Sequence, residues 1–270
     1  MPRLLVAGCG DLGRRLADHM GQGSWAVTGL RRTPGELPGM ETVAGDLNGR
    51  LDQPALKGYW DAAVFTATPD ERSEAGYRRT YVQALSSLLD QVNIGRLIMV
   101  TSTAVYGQRR GEWVDENART DPGAFNGRVL LEAETLAVGH PDCTVVRFSG
   151  IYGPGREYLL DSLKRGSARC RPEPPQWTNR IHSADCAGFL AHLVEMTDPP
   201  GLVCATDSLP APRCQVLDWL ADRLGLEAPL RDEAGPDPDQ GKRVSNARML
   251  ATGYVLQYPD FRTGYGELAR

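Results

Sequence analysis

The sequence predicts an α/β fold: a doubly wound parallel sheet followed by a smaller C-terminal lobe. Three observations predict it. Short, β-rich apolar runs recur between helical patterns over the first 150 residues, and a glycine turn joins the first run to the first helical pattern. Beyond residue 151 that rhythm weakens, and proline-rich stretches interrupt the chain.

The strands are read at RLLVAG (3–8), WAVTGL (25–30), ETVAGD (41–46), AAVFTAT (62–68), RLIMVTS (96–102) and CTVVRFSG (143–150). Several are nearly continuous in apolar residues, as strands covered on both faces must be, and the segments between them can supply crossover helices. Leu12, Leu16 and Met20 share one face of a helix over 12–20. Tyr77, Tyr81, Leu85, Leu88 and Leu89 line one over 74–91, and Val129, Leu130, Ala133 and Leu136 one over 127–138. The interruptions are PEPP (172–175), DPP (198–200) and GPDPD (235–239), with one further helical pattern, QVLDWLADRLG, at 215–225.

A chain of 270 residues, 41% hydrophobic, can bury a sizeable core. Its formal net charge of −4 and the lack of any run of five Lys or Arg argue against a nucleic-acid partner. No apolar run approaches the roughly 20 residues of a membrane span. The six cysteines are scattered without a C-x-x-C, and the N-terminus moves straight into a strand. Both features argue against a disulfide framework, a zinc site or a signal peptide, and predict a reduced, soluble, cytoplasmic protein.

Gly8-Cys9-Gly10-Asp11-Leu12-Gly13 matches G-x-G-x-x-G between an apolar strand and an amphipathic helix. Gly8 would permit the tight turn, Gly10 a close approach of backbone to a pyrophosphate, and Gly13 close packing of helix on strand. This predicts a Rossmann dinucleotide-binding domain over 1–150. Residues 151–270 form mainly a substrate-side lobe, with 178–196 packing back on the first domain. The second strand ends in Arg31 and Arg32, where an acid would bind a ribose 2′-hydroxyl. Arginine there accommodates a 2′-phosphate, so NADP(H) is favoured, with NAD(H) left open.

With GDL (45–47), TSTAVYG (101–107), RFSGIYGPGR (147–156) and RIHSAD (180–185) following the glycine turn in that order, the chain resembles the atypical and extended short-chain dehydrogenases/reductases of the NAD-dependent epimerase/dehydratase type. The resemblance implies that Asp46 and Leu47 lie by the adenine and that Thr66, Ala67 and Thr68 back the cofactor. It implies that Phe148 to Ile151 pass beneath the nicotinamide. Ser102 matches the catalytic serine, with Thr103 beside it, while Tyr152, Arg156 and His182 would face a substrate cleft. Family members are often dimers, which leaves a homodimer open.

Two departures qualify the resemblance. The glycine turn is one residue shorter than in extended members, and the family's Tyr-x-x-x-Lys is replaced by Ala124 and Arg128. Arg128 could hold ribose hydroxyls, but a guanidinium is a poor proton donor. Tyr81, Tyr106, Tyr152 and His182 remain as candidate acids, each with a packing role as its plain alternative, and His182 and Tyr106 rank first. Glu132 and Glu134 read as solvated helix residues. The expectation is an oxidoreductase or epimerase/dehydratase acting on a small polar carbonyl or sugar-like substrate. The alternative is a catalytically inactive dinucleotide-binding sensor or regulatory protein.

Overall fold

Strands with no polar face must be covered on both sides, and the computed structural model resolves them into one central sheet. It describes residues 1–268 apart from 22, 34, 36 and 38. From edge to edge the sheet runs Leu202–Ala205, Cys143–Phe148, Asn93–Ser102, Tyr59–Phe65, Arg3–Ala7, Ala26–Arg31 and Glu41–Ala44. The four pairings from Asn93–Ser102 to Glu41–Ala44 are parallel, with Leu4 opposite both Val27 and Ala62. The order reverses direction at Arg3–Ala7, which is the topology of a doubly wound sheet.

The chain divides into two compact units. One comprises Met1–Val105, Asp121–Arg147 and Cys186–Val203; the other comprises Tyr106–Thr120, Phe148–Asp185 and Cys204–Arg270. In the first, Leu5, Leu30, Trp60, Phe65, Leu85, Leu88 and Leu97 make one buried cluster. Its helices begin with Asp11–Met20, whose Leu12, Leu16 and Met20 are buried as their spacing requires. The pattern over 74–91 becomes Glu74–Tyr77 and Ala84–Gln91, joined by wider π-helical turns over Arg78–Gln83. Ser73 caps its start by accepting from the Gly76 N–H.

The second unit is built from short ladders and helices. Arg180–His182 pairs with Gly150–Tyr152, and Lys242–Val244 with Glu112–Val114, both parallel. Helices Tyr158–Lys164, Arg213–Leu224 and Phe261–Leu268 contribute Leu160, Leu217, Leu220 and Phe261 to a second buried cluster. The expectation of six reduced cysteines is corrected here, because Cys170 and Cys214 form a disulfide across 44 residues. Their ladder strand and helix bring together residues that no C-x-x-C spacing could announce. Among the described residues no helix is long and apolar enough to cross a membrane.

Candidate functional site

The glycine turn is built by three different constraints. Gly8 has φ +79°, and a Cβ there would lie 2.5 Å from the Ala67 Cα, so only glycine fits between this turn and the end of Tyr59–Phe65. Thr66 ties the two together by donating its hydroxyl to the Gly8 carbonyl at 3.1 Å. At Gly13 a Cβ would meet Val6 Cγ1 at 2.7 Å, so the helix packs directly on the first strand. Gly10 differs from both. A Cβ there would find no atom nearer than the Gly8 carbonyl oxygen at 3.9 Å, and the residue offers no side-chain cap to the helix it begins. A methyl would fill only open space over uncapped helix N–H groups, which is the cradle a dinucleotide pyrophosphate needs.

The neighbouring candidates fall around this turn within the first unit. Asp11 pairs with Arg15 at 3.1 Å, and Leu12 is buried. Asp46 accepts from the Asn48 N–H at 2.9 Å, Leu47 is buried, and Thr68 is exposed. Arg31 ends its strand half-buried, without a side-chain partner among the described residues. Arg32 grips Asp70 through two bonds of 2.5 and 2.7 Å, both groups exposed. Each holds the other charged: Asp70 pushes the Arg32 pKa up, and Arg32 pulls the Asp70 pKa down.

Ser102 closes its strand with a half-buried hydroxyl that accepts from the Ala104 N–H at 3.2 Å. Thr103, next to it, is buried. Thr101 is otherwise engaged: it donates to Glu134 at 2.8 Å. Glu134, read from the sequence as solvated, is 6% exposed and takes the Arg147 guanidinium through contacts of 3.0, 3.2 and 2.5 Å. The Thr101 hydroxyl therefore serves a buried ion pair in the core. Ala124 stands exposed at the N-cap of Phe125–Ala137, and exposed Arg128 reaches back to the Gly123 carbonyl at 2.9 Å. Tyr81 packs against the core, and burial pushes its pKa up to about 12.

In the second unit Tyr106 is buried; its hydroxyl donates to the Asp115 carbonyl at 2.7 Å and lies 3.1 Å from Cys204 Sγ. Lys242 donates to the Tyr106 carbonyl at 2.7 Å, and burial pulls this lysine's pKa down. His182, 4% exposed, sits between the rings of Tyr152 at 5.3 Å and Tyr258 at 3.9 Å, and its Nδ1 accepts from the Ala184 N–H. Tyr152 stacks on Tyr265 at 4.4 Å, and a Cβ at Gly264 would collide with its hydroxyl. Phe148 is fully buried, whereas Ile151 and Arg156 line a cavity together with Tyr152. Asp185, at the start of Ser183–Glu195, accepts from the Gln257 and Tyr258 N–H groups at 2.8 and 2.9 Å and so anchors the tail.

Sequence reasoning missed Asp70, Glu134, Arg180, Asp207, Arg213 and Lys242. A charged residue in a polar stretch carries no mark of burial, so only Arg180, two positions before His182 in RIHSAD, offered a signal.

No family model matches the chain. A solved structure from Methylobacillus flagellatus, presented as a candidate NAD-dependent epimerase/dehydratase, is 37% identical with a TM-score of 0.84, covering 99% of this chain and 97% of that one. Protein YeeZ of Escherichia coli K12 is 28% identical, over 96% of this chain and 97% of its own. At 21% identity, where likeness shows the fold alone, two more structures superpose. The human epimerase family protein SDR39U1, solved with NADPH, has a TM-score of 0.78 and covers 99% of both chains. MoeE5, solved with UDP-glucose and NAD, has a TM-score of 0.82 and covers 99% of this chain and 97% of its own.

Proposed function

The chain belongs to the atypical, epimerase/dehydratase-like part of the short-chain dehydrogenase/reductase superfamily, and on that premise we propose that it is a nicotinamide-dinucleotide-dependent oxidoreductase or epimerase/dehydratase acting on a small polar carbonyl or sugar-like substrate. The observation that carries the reading is the Gly10 cradle. Two glycines of the turn are demanded by the protein's own packing; at the third no described atom crowds a Cβ, which leaves room for a ligand. Gly8, Gly10, Asp11, Leu12 and Gly13 would hold the pyrophosphate, with Asp46 and Leu47 toward the adenine and Thr66 to Thr68 behind. A bound dinucleotide supplies or accepts a hydride at its nicotinamide.

NADP(H) is the favoured form. Arg31 carries a guanidinium with no acid on it among the described residues, and no carboxylate ends that strand to bind a 2′-hydroxyl. Arg32 can join by leaving Asp70, because an exposed ion pair is weakly held. Ser102 is the group to orient a substrate oxygen, with Thr103 beside it, and Arg128 supplies charge near the ribose. Of the two candidate acids, His182 is favoured for proton transfer over Tyr106, because the Tyr106 hydroxyl already donates to the Asp115 carbonyl. Phe148 and Ile151 would underlie the nicotinamide, and Tyr152 and Arg156 would meet substrate.

A second reading, a dinucleotide-binding protein without turnover, draws support from Ala124 in the tyrosine slot and from the engagement of the Tyr106 hydroxyl with a backbone carbonyl. Titration with NADPH and NADH, read by fluorescence and thermal shift, tests both. Tight NADPH binding with weaker NADH binding is expected, followed by carbonyl-dependent NADPH oxidation that Ser102→Ala depresses. Tight binding without turnover on a broad carbonyl panel selects the second reading, and failure of both nucleotides to bind at millimolar concentration refutes both.

A further inference from the structure

Within the second unit a cavity of about 190 Å³ opens among Tyr152, Arg156, Thr178, Arg180, Arg213 and Tyr265. Three of these six side chains are guanidinium groups, and among the described residues no carboxylate lines the space. Cations gathered around one small cavity repel one another unless an opposite charge joins them. Arg180 is the deepest, 5% exposed. Its Nη2 donates to Thr178 Oγ1, yet its Nη1 is buried with no hydrogen-bond partner. The Phe261 ring at 5.5 Å offers it only a cation–π contact. The Tyr152 hydroxyl, on a side chain 3% exposed, is also buried without a partner. Neither atom is open to solvent, so both lie behind the cavity surface as polar groups without a partner among the described residues, an uncommon state in a folded protein.

Two further features favour a negative occupant. Arg213 is half-buried, donates from its Nε to the Arg169 carbonyl at 2.9 Å with no further side-chain hydrogen bond among the described residues, and opens the helix Arg213–Leu224, which has no side-chain cap. The positive end of a helix dipole therefore borders the cavity. Asp207, 1% exposed, attracts Arg180 electrostatically without a close ion pair among the described residues; burial outweighs that attraction and pushes the Asp207 carboxyl up to about 7, so it does not fully neutralise the guanidinium.

We infer that this cavity receives a compact oxyanion of the substrate, a carboxylate or a phosphoryl group, held by Arg180 and Arg213. Guanidinium forks match both anions in a bidentate geometry. The volume, below the roughly 300 Å³ at which pockets begin to hold drug-sized ligands, suits an acid group with a few attached atoms and not a nucleotide. This deepens the preceding reading and rests on it for the word substrate: the small polar carbonyl compound is an acid or a phosphate ester.

The test titrates inorganic phosphate and acetate into the NADPH-saturated full chain, read by calorimetry and thermal shift. Saturation keeps anions off the glycine turn, so the response reports on the second unit. Saturable binding is expected, weakened about tenfold or more by Arg213→Gln and by Arg180→Gln, which is about 1.4 kcal/mol or more, with NADPH affinity unchanged. Stronger binding of phosphate assigns a phosphoryl group, and stronger binding of acetate a carboxylate. Should Arg180→Gln fail to fold, Arg213→Gln at its half-buried position decides. A wild-type protein that binds neither anion at tens of millimolar overturns the inference, as does a response of equal size in Arg213→Gln. If NADPH itself does not bind, the cofactor reading falls separately, and the same titration of the nucleotide-free chain against Arg213→Gln still judges the cavity.

Discussion

Replacing the three glycines of the first turn with alanine, one at a time, separates folding from binding. At Gly8 the new Cβ meets the Ala67 backbone at 2.5 Å while φ is +79°. Backbone cannot swing aside, and left-handed strain adds to overpacking, so a loss of roughly 3 kcal/mol or more is expected. At Gly13 the obstacle is the Val6 Cγ1 methyl at 2.7 Å, with Cys9 Sγ at 3.2 Å. A side chain can yield, and alanine favours the helix, so the loss should be about 1–2 kcal/mol. At Gly10 nothing lies within 3.9 Å, and stability should stay within about 0.5 kcal/mol of wild type. NADPH affinity should follow another order: Gly10→Ala, as well folded as wild type, should bind at least about tenfold more weakly, a loss of about 1.4 kcal/mol. Urea unfolding and fluorescence titration of the same preparations read both quantities. The cradle argument is refuted if Gly10→Ala binds NADPH like wild type, and the packing argument if its stability falls to that of Gly8→Ala.

Other expectations follow from single groups. Glu134→Ala removes the carboxylate from a buried ion pair with Arg147, itself 5% exposed, and should cost about 3–5 kcal/mol in urea unfolding, far more than Glu132→Ala on the same helix, whose partner Arg78 is exposed. The Asp207 carboxyl, pushed up to about 7 mainly by burial, keeps its proton in the folded state while the unfolded chain loses it near pH 4. Stability from this group therefore falls as pH rises between about 4 and 7, and Asp207→Asn should flatten that part of the stability–pH curve, leaving it unchanged below about pH 4. Asp70→Asn frees Arg32 and should tighten NADPH severalfold with NADH unaffected; equal gains for both nucleotides would exclude Arg32 from 2′-phosphate binding. If turnover is found, Tyr106→Phe should spare most of it, because that hydroxyl already gives its only hydrogen to the Asp115 carbonyl, whereas His182→Gln should lower it by about 10² or more.

The parts of the fold legible in the sequence are those carried by local periodicity. The apolar runs at 3–8 and 96–102 and the amphipathic pattern over 12–20 each contain their own signal, and the glycine turn lies between two of them. Leu202–Ala205 escaped because four residues after a proline pair show no period, although the strand forms an edge of the sheet. The helix Ser183–Glu195 escaped because Cys186, Ala187, Phe189, Leu190 and Leu193 bury more than one stripe, which blurs amphipathicity. Charges are harder still. Glu134 and Arg147 lie on a helix and a strand 13 residues apart, and Arg180 shares its cavity with Arg213, 33 positions on. Such pairs exist only through tertiary register, so a reading of residue types assigns them to solvent.

The departure from Tyr-x-x-x-Lys is best understood against the backbone that remains around it. A Cβ at Gly127 would lie 2.4 Å from the Pro122 Cβ and 2.5 Å from the Ala104 carbonyl oxygen, so the first turn of Phe125–Ala137 is pressed directly against the segment that follows Ser102. That contact fixes the helix on the serine strand irrespective of what occupies its two family slots. Ala124 is exposed in extended backbone, φ −99° and ψ 151°, and a tyrosine there would meet no conformational bar. The missing phenol is thus a change of chemistry on a kept scaffold, and packing did not force it. If the proposed function holds, Ser102 and the bare Gly10 turn bind and orient without the family's usual acid.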